Sequence, residues 1–319
     1  MKFTKVFYAT DVHGSETCFR KFLGAAQAYK AEVLVLGGDL TGKFVYPIVK
    51  MDDGSAKANY LGKDEILKTP EEIKRWEQLV TDSGYYFYHC DKPEFEELKA
   101  SKEKLDRVFL KVMQERLIHW AKYADEFLPP NVSVYVTGGN DDFQEVMDAF
   151  PETGRVKNCD DKVVKIDDLH EMASAGWSNM TPWKCPRDIT EEEFEKRIEK
   201  LLGSVTDMAN CVFNFHTPPI DCNLDTVQKL DDSVYPPRPV MNKGQPVMVG
   251  AGSKSVRAAI EKYQPLVDLC GHIHESRGVA KIKKTTIINP GSEYTEGILR
   301  GAIVNIGDKK IVSWQLTSG

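Results

Sequence analysis

Short uninterrupted apolar runs, each closed by a polar cluster, set the rhythm of the chain. Val6-Phe7-Tyr8-Ala9-Thr10 has no helical spacing and stops at Asp11-Val12-His13-Gly14-Ser15, which predicts a buried strand running into a loop. From Glu16 to about Lys30 the apolar positions change to a helical period, with Phe19, Phe22, Leu23 and Ala26 at i, i+3, i+4 and i+7. Val33-Leu34-Val35-Leu36 then gives a second strand, ending at Gly37-Gly38-Asp39. Strand, helix and strand in that order form a βαβ unit, and strands that are apolar at successive positions need cover on both faces. The predicted class is α/β.

The pattern changes between Thr41 and about Pro130, where the chain becomes polar and rich in Lys and Glu. A long helical signal from Pro93 through Phe127 carries Leu98, Leu105, Val108, Phe109, Val112, Met113, Leu117 and Trp120, with Pro93 in the first turn and Pro129-Pro130 as the stop. It predicts an inserted helical segment over about 43–130, and the acidic stretch before Leu202 predicts a smaller one over about 180–204. Strand character resumes at Val132-Ser133-Val134-Tyr135-Val136, at Cys211-Val212-Phe213-Asn214-Phe215 and at Leu266-Val267-Asp268-Leu269-Cys270, followed by a β-rich tail. A Pro- and Gly-rich loop spans 217–253. No linker divides the chain, so a single domain over 1–319 is expected.

Composition narrows the class further. With 41% hydrophobic and 28% charged residues the chain of 319 residues reads as globular, and no uncharged run reaches the roughly 18 residues of a bilayer span. A net charge of -6 argues against broad adhesion to nucleic acid or anionic lipid. The 7 cysteines include no Cys-x-x-Cys pair and read as reduced core thiols. A cytoplasmic protein without membrane contact is expected.

The polar clusters are where chemistry concentrates. Asp11 with His13, Asp39, Asn140, His216, and His272 with His274 each follow a predicted strand end. Open α/β sheets gather strand carboxyl ends on one edge, so residues remote in sequence can converge there. Carboxylate and amide oxygens mixed with imidazoles suit Mn, Fe, Zn or Co better than Ca, which prefers oxygen alone. The set exceeds what one four- to six-coordinate ion needs, and a carboxylate such as Asp39 can bridge two cations.

Taken in order, Asp11-Val12-His13, Gly38-Asp39, Gly139-Asn140-Asp141-Asp142, the lone His216 and Gly271-His272-Ile273-His274 resemble the calcineurin-like metallophosphoesterase superfamily, and Asn289-Pro290-Gly291-Ser292 resembles a strand-end segment of its bacterial and archaeal members. The resemblance implies a four-layer αββα sandwich with two divalent ions, manganese first and iron, zinc, cobalt or nickel as alternatives. One ion would be held by Asp11, His13, Asp39 and His274, the other by Asp39, Asn140, His216 and His272. It also implies hydrolysis of a phosphoester by a dimetal-bound hydroxide, with the inserted segments as a partial cap.

Asp141 departs from the family pattern, which commonly has histidine there to protonate the leaving oxygen. An aspartate facing two cations is expected to be ionised and a poor general acid. That replacement implies a phosphodiesterase acting on a small phosphodiester, with His89 or His119 of the insertion as candidate substitutes for the missing acid. Asn140, Trp177 and Asn179 are candidate substrate contacts, although aromatic residues near Gly and Pro more often close a core. Gly250-Ala251-Gly252-Ser253 before a helix is either a phosphate loop or a capped connector. A phosphomonoesterase or nuclease on the same centre, and a metal-binding scaffold without catalysis, are the alternatives; a homo-oligomer is compatible with all of them.

Overall fold

The computed structural model describes residues 3–319. In chain order the first elements are β1 (Thr4–Ala9), α1 (Glu16–Tyr29), β2 (Val33–Gly37), β3 (Val45–Lys50), β4 (Ala56–Tyr60), β5 (Lys63–Leu67), α2 (Pro70–Asp82) and β6 (Tyr86–Cys90). Then come α3 (Lys92–Ala100), α4 (Lys102–Phe127), β7 (Ser133–Thr137), α5 (Gln144–Asp148), β8 (Val156–Asn158), β9 (Val163–Lys165), β10 (Glu171–Ala175) and α6 (Glu191–Leu202). The chain closes with β11 (Cys211–Phe215), α7 (Lys254–Tyr263), β12 (Val267–Leu269), β13 (Gly278–Ile282), β14 (Thr285–Asn289), β15 (Arg300–Gly307) and β16 (Lys310–Ser318).

Two six-stranded sheets stack face to face, ordered β16-β15-β1-β2-β7-β8 and β13-β14-β12-β11-β10-β9. Within the first, β1, β2, β7 and β8 are parallel, and within the second so are β10, β11, β12 and β14. Strand alternation explains the layers. Val6, Tyr8, Val33 and Val35 point inward to meet Met172, Val212, Val267 and Ile288 between the sheets. Phe7, Leu34, Leu36 and Val134 point outward, under α1 and α4, while Phe213 and Phe215 lie under α6 and α7. The result is the four-layer αββα sandwich expected from the sequence. Among the described residues no helix is long and apolar enough to cross a membrane.

Two boundaries differ from the sequence reading. The stretch 43–130 is not purely helical: its first half is a four-stranded sheet, β5-β4-β3-β6, with α2 packed on one face through Trp76 and Val80. Its strands are hard to see because β4 hides only the small Ala56 and Ala58 and β5 is largely charged, so neither shows the β-branched enrichment that marks a strand. The long helical signal is two helices, broken at Ser101, which leaves helical geometry to cap α4 by accepting from the Lys104 amide. The stretch 180–204 divides: Asp188 borders the site through the Asn140 amide, whereas Phe194 and Ile198 of α6 are buried in the outer layer on the second sheet.

Helix α4 ties the extra segment to the sandwich. Trp120 stacks on Phe19 of α1 with ring centroids 4.2 Å apart, and its Nε1 donates to Glu16 Oε2 at 2.6 Å. Replacing Trp120 by alanine should lower unfolding free energy by about 3–5 kcal/mol in urea titration, because a cavity opens and Glu16 loses its partner.

Candidate metal centre

Every predicted cluster sits at the carboxyl end of a parallel strand: Asp11 after β1, Asp39 after β2, Asn140 after β7, His216 after β11 and His272 after β12. The strands must turn away abruptly to present these side chains, and the backbone records the cost. Asp11, His13, Asp39 and His272 all have left-handed conformations, with φ of 54°, 41°, 47° and 64°. Such a conformation is uncommon outside glycine and costs about 1–3 kcal/mol per residue where it is imposed, so surrounding contacts must hold it. The first two loops are laced together by main-chain bonds from Asp11, His13 and Gly14 amides to the Gly38, Asp39 and Leu40 carbonyls at 2.7–2.9 Å.

The side chains meet as two groups sharing Asp39. Asp11, His13, Asp39 and His274 bring donor atoms within 4.8 Å of one another, and so do Asp39, His216 and His272. His13 Nε2 lies 3.2 Å from His274 Nε2, and His274 Nε2 lies 3.3 Å from Asp11 Oδ1. Asn140 joins the second group, its Oδ1 being 2.9 Å from His272 Nδ1. Its amide donates to Asp188 Oδ1 at 3.0 Å, which turns the carbonyl oxygen toward the histidines.

The donor chemistry fits divalent cations. His216 Nδ1 is 3.1 Å from the Gly37 carbonyl, so that nitrogen carries a proton; against burial, Asp39 and Asp11 raise the imidazole to about 10, and a cation taking the place of the Nε2 proton would meet the same two carboxylates. Nε2 is buried without a hydrogen-bond partner, 3.4 Å from Asp39 Oδ1, and buried His13 Nδ1 has no hydrogen-bond partner either. Buried polar atoms are ordinarily satisfied. Burial drives His13 well below the usual imidazole range and takes His272 down to about 3, so both present neutral rings. Burial opposes ionisation of Asp11, but His274 and His216 overcome it and hold the carboxyl low.

Several supporting residues were not singled out by sequence reasoning. Asp142 accepts from the amides of Leu40, Thr41 and Gly139 and from the Thr41 hydroxyl, at 2.6–3.0 Å, and thereby binds the Asp39 loop to the Asn140 loop. Arg187, buried behind that loop, donates from Nη2 to both Asp160 carboxylate oxygens at 2.8 and 3.1 Å, and its guanidinium packs on Trp177. Asn289 donates to the carbonyl of Ile273 at 2.9 Å and steadies the His272–His274 turn. Lys43 Nζ reaches Asp141 at 2.6 Å, and the Tyr294 ring is 4.6 Å from that of His13. Asp142 and Asn289 lay in recognisable blocks; nothing in the sequence near Lys43 or Arg187 marks where the side chain ends up.

The remaining predicted residues divide. Burial works to raise the Asp141 carboxyl, and the Lys43 ammonium at 2.6 Å outweighs it, so the group is held below its usual range. Trp177 does not face the centre as a free contact: Nε1 donates to Asp161 at 2.8 Å and the ring packs against Arg187 and Arg197. Asn179 lies beside Ser178, whose hydroxyl is 3.4 Å from His272 Nε2, and its own amide donates to Ala251. His89 pairs with Glu77 and His119 stacks on Tyr123; both are exposed and neither belongs to the cluster, so neither replaces the missing acid. The phosphate loop is also excluded, because Glu191 already accepts from the Lys254 and Ser255 amides at the start of α7, which Ser253 caps.

No protein-family model matches the chain. An uncharacterised protein of Methanocaldococcus jannaschii is 35% identical over 162 residues, 50% of this chain and 64% of that protein, so the match spans less than two thirds of the relative. A solved crystal structure superposes with a TM-score of 0.56 at 16% identity, covering 99% of each chain. The likeness is one of fold. A dimetal phosphatase of Danio rerio has a TM-score of 0.42 at 8% identity over 98% of each chain.

Because Asp142 holds the two loops without entering the cluster, Asp142→Asn should weaken manganese binding by roughly 10- to 100-fold in calorimetric titration. An unchanged affinity would mean that the loops keep their arrangement without that carboxylate.

Proposed function

We propose that the chain is a metallophosphoesterase of the calcineurin-like type, most active on small phosphodiesters. One observation carries the reading: two groups of oxygen and nitrogen donors share the buried Asp39, and His216 Nε2 is buried among them without a hydrogen-bond partner. Asp11, His13, Asp39 and His274 would hold one divalent cation, and Asp39, Asn140, His216 and His272 the other, with manganese the first choice. Cations bound there supply Lewis acidity toward phosphoryl oxygens and acidify water for in-line attack. Free cysteines, six of them buried, agree with a reducing compartment such as the cytoplasm.

The preference for diesters follows from the chain's own charges. Asp141 is ionised, so it has no proton to give a departing alkoxide, and a monoester dianion meets more repulsion from it than a diester monoanion does. Lys43, held above its usual range by Asp141 despite partial burial, keeps a positive charge at this place and limits that repulsion. Lys43 and Asp141 thus occupy the position at which the resemblance implies an acid, and they favour substrates whose leaving group needs little protonation.

Hydrolysis of bis(4-nitrophenyl) phosphate with added Mn²⁺ tests the reading. The wild-type chain should turn over and Asp39→Ala should fall to background; equal rates would remove the proposal. Asp141→His restores a titratable acid, a group that contributes roughly 10²–10⁴-fold where protonation limits the rate. It should therefore raise hydrolysis of an alkyl phosphomonoester such as glycerol phosphate, relative to 4-nitrophenyl phosphate, whose leaving group needs no acid, by at least about tenfold.

A further inference from the structure

The inserted sheet carries an aromatic edge for which the proposed chemistry has not yet accounted. Phe44 immediately follows Lys43 and is 61% exposed, although it is a large apolar side chain. Single exposed apolar residues are ordinary. Phe44, however, continues a cluster: its ring lies 6.2 Å from Tyr85 and 6.5 Å from Tyr46, Tyr46 lies 5.5 Å from Tyr85, and Tyr60 lies 6.1 Å from Tyr85. Tyr46, Tyr60 and Trp76 belong to the core of the inserted sheet, whereas Phe44 stands outside that core.

The edge has a fixed place relative to the metal centre. β3 and β6 run parallel, with Val45 beside Tyr86, so their first residues lie together at one end of the sheet. That end is pressed against the loop of His13 by three glycines. A Cβ on Gly42 would come within 1.9 Å of the Gly84 carbonyl oxygen, one on Gly84 within 2.4 Å of the His13 oxygen, and one on Gly14 within 2.8 Å of Gly84. Gly84 also touches the Tyr294 ring, which stands against His13. Lys43, which reaches Asp141, and Gly84, which meets the His13 loop, are the chain neighbours of Phe44 and Tyr85, so the aromatic edge starts one residue from each of these contacts.

We infer that this edge is a subsite for a flat aromatic group on the substrate, so that the protein prefers phosphodiesters of nucleosides to aliphatic phosphodiesters, with Phe44 the stacking residue. The inference rests on the phosphodiesterase reading above. Lys43, the chain neighbour of Phe44, supplies a cation at Asp141, and exposed Phe44 and half-buried Tyr85 offer ring faces for stacking. Stacking on such rings tolerates any base, because every base has a π face.

The test pairs two diesters with the same leaving group, thymidine 5′-(4-nitrophenyl) phosphate and methyl 4-nitrophenyl phosphate, in the Mn²⁺-loaded full chain. The wild type should favour the thymidine ester, and Phe44→Ala should reduce the ratio of kcat/KM values about tenfold, mainly through KM, while Phe44→Trp restores it. In parallel, calorimetry should show thymidine 5′-monophosphate binding weakened about tenfold by Phe44→Ala, with inorganic phosphate as the reference ligand. A ratio and an affinity unmoved by Phe44→Ala would overturn the subsite. If neither diester is hydrolysed, the phosphodiesterase reading fails, and the nucleotide titration still decides whether Phe44 stacks a base.

Discussion

Two buried carboxylates, Asp11 and Asp39, face four imidazoles at close range, and His216 Nε2 lies among them without a hydrogen-bond partner. Burying such charges in apolar surroundings is costly unless a compensating charge stands between them. The sandwich is organised around that requirement. Its parallel strands deliver oxygen and nitrogen donors to one edge, and its left-handed turns at Asp11, His13, Asp39 and His272 aim them inward. Strain of this kind persists only where neighbours over-determine it, and the bonds between the Asp11 and Asp39 loops, the four donors on Asp142 and the buried Arg187–Asp160 pair supply that constraint.

The inserted sheet is part of the same constraint rather than a loose cover. Glycine-mediated backbone contacts press its end onto the His13 loop, Arg116 of α4 donates to the Gly14 carbonyl at 2.5 Å, and the Tyr86 hydroxyl accepts from the Gly42 amide at 2.9 Å. A side chain at any of the three glycines would force the two backbones apart. The same docking puts Lys43 on Asp141, so the residue that balances this carboxylate comes from the segment that most distinguishes the chain from a minimal sandwich.

Much of the site was legible because its signals are local. A strand followed at once by Asp-x-His, Gly-Asp or Gly-Asn is visible in a few residues, and strand ends in parallel sheets converge by topology. The inserted sheet was not legible for the opposite reason: β4 and β5 combine small and charged residues, and their pairing depends on partners elsewhere in the segment. Trp177 was open between a substrate contact and a packing residue for the same reason. Its position after a strand resembles a site residue, yet its ring is engaged by Arg187 and Arg197, one of which arrives from the loop before α6 and the other from α6 itself.

The sequence by itself determined the two-sided apolar strands, the helices that cover them and the order of the donor clusters, since each is a short-range pattern of side-chain polarity. Tertiary structure alone decided which groups support and neutralise those donors. Lys43 meets Asp141 across 98 positions of chain, Arg187 meets Asp160 across 27, and Asp142 meets the Thr41 loop across 101. Such pairs are selected by packing distance and by the cost of leaving a buried charge unpaired, and neither quantity is written in the spacing of residues along the chain.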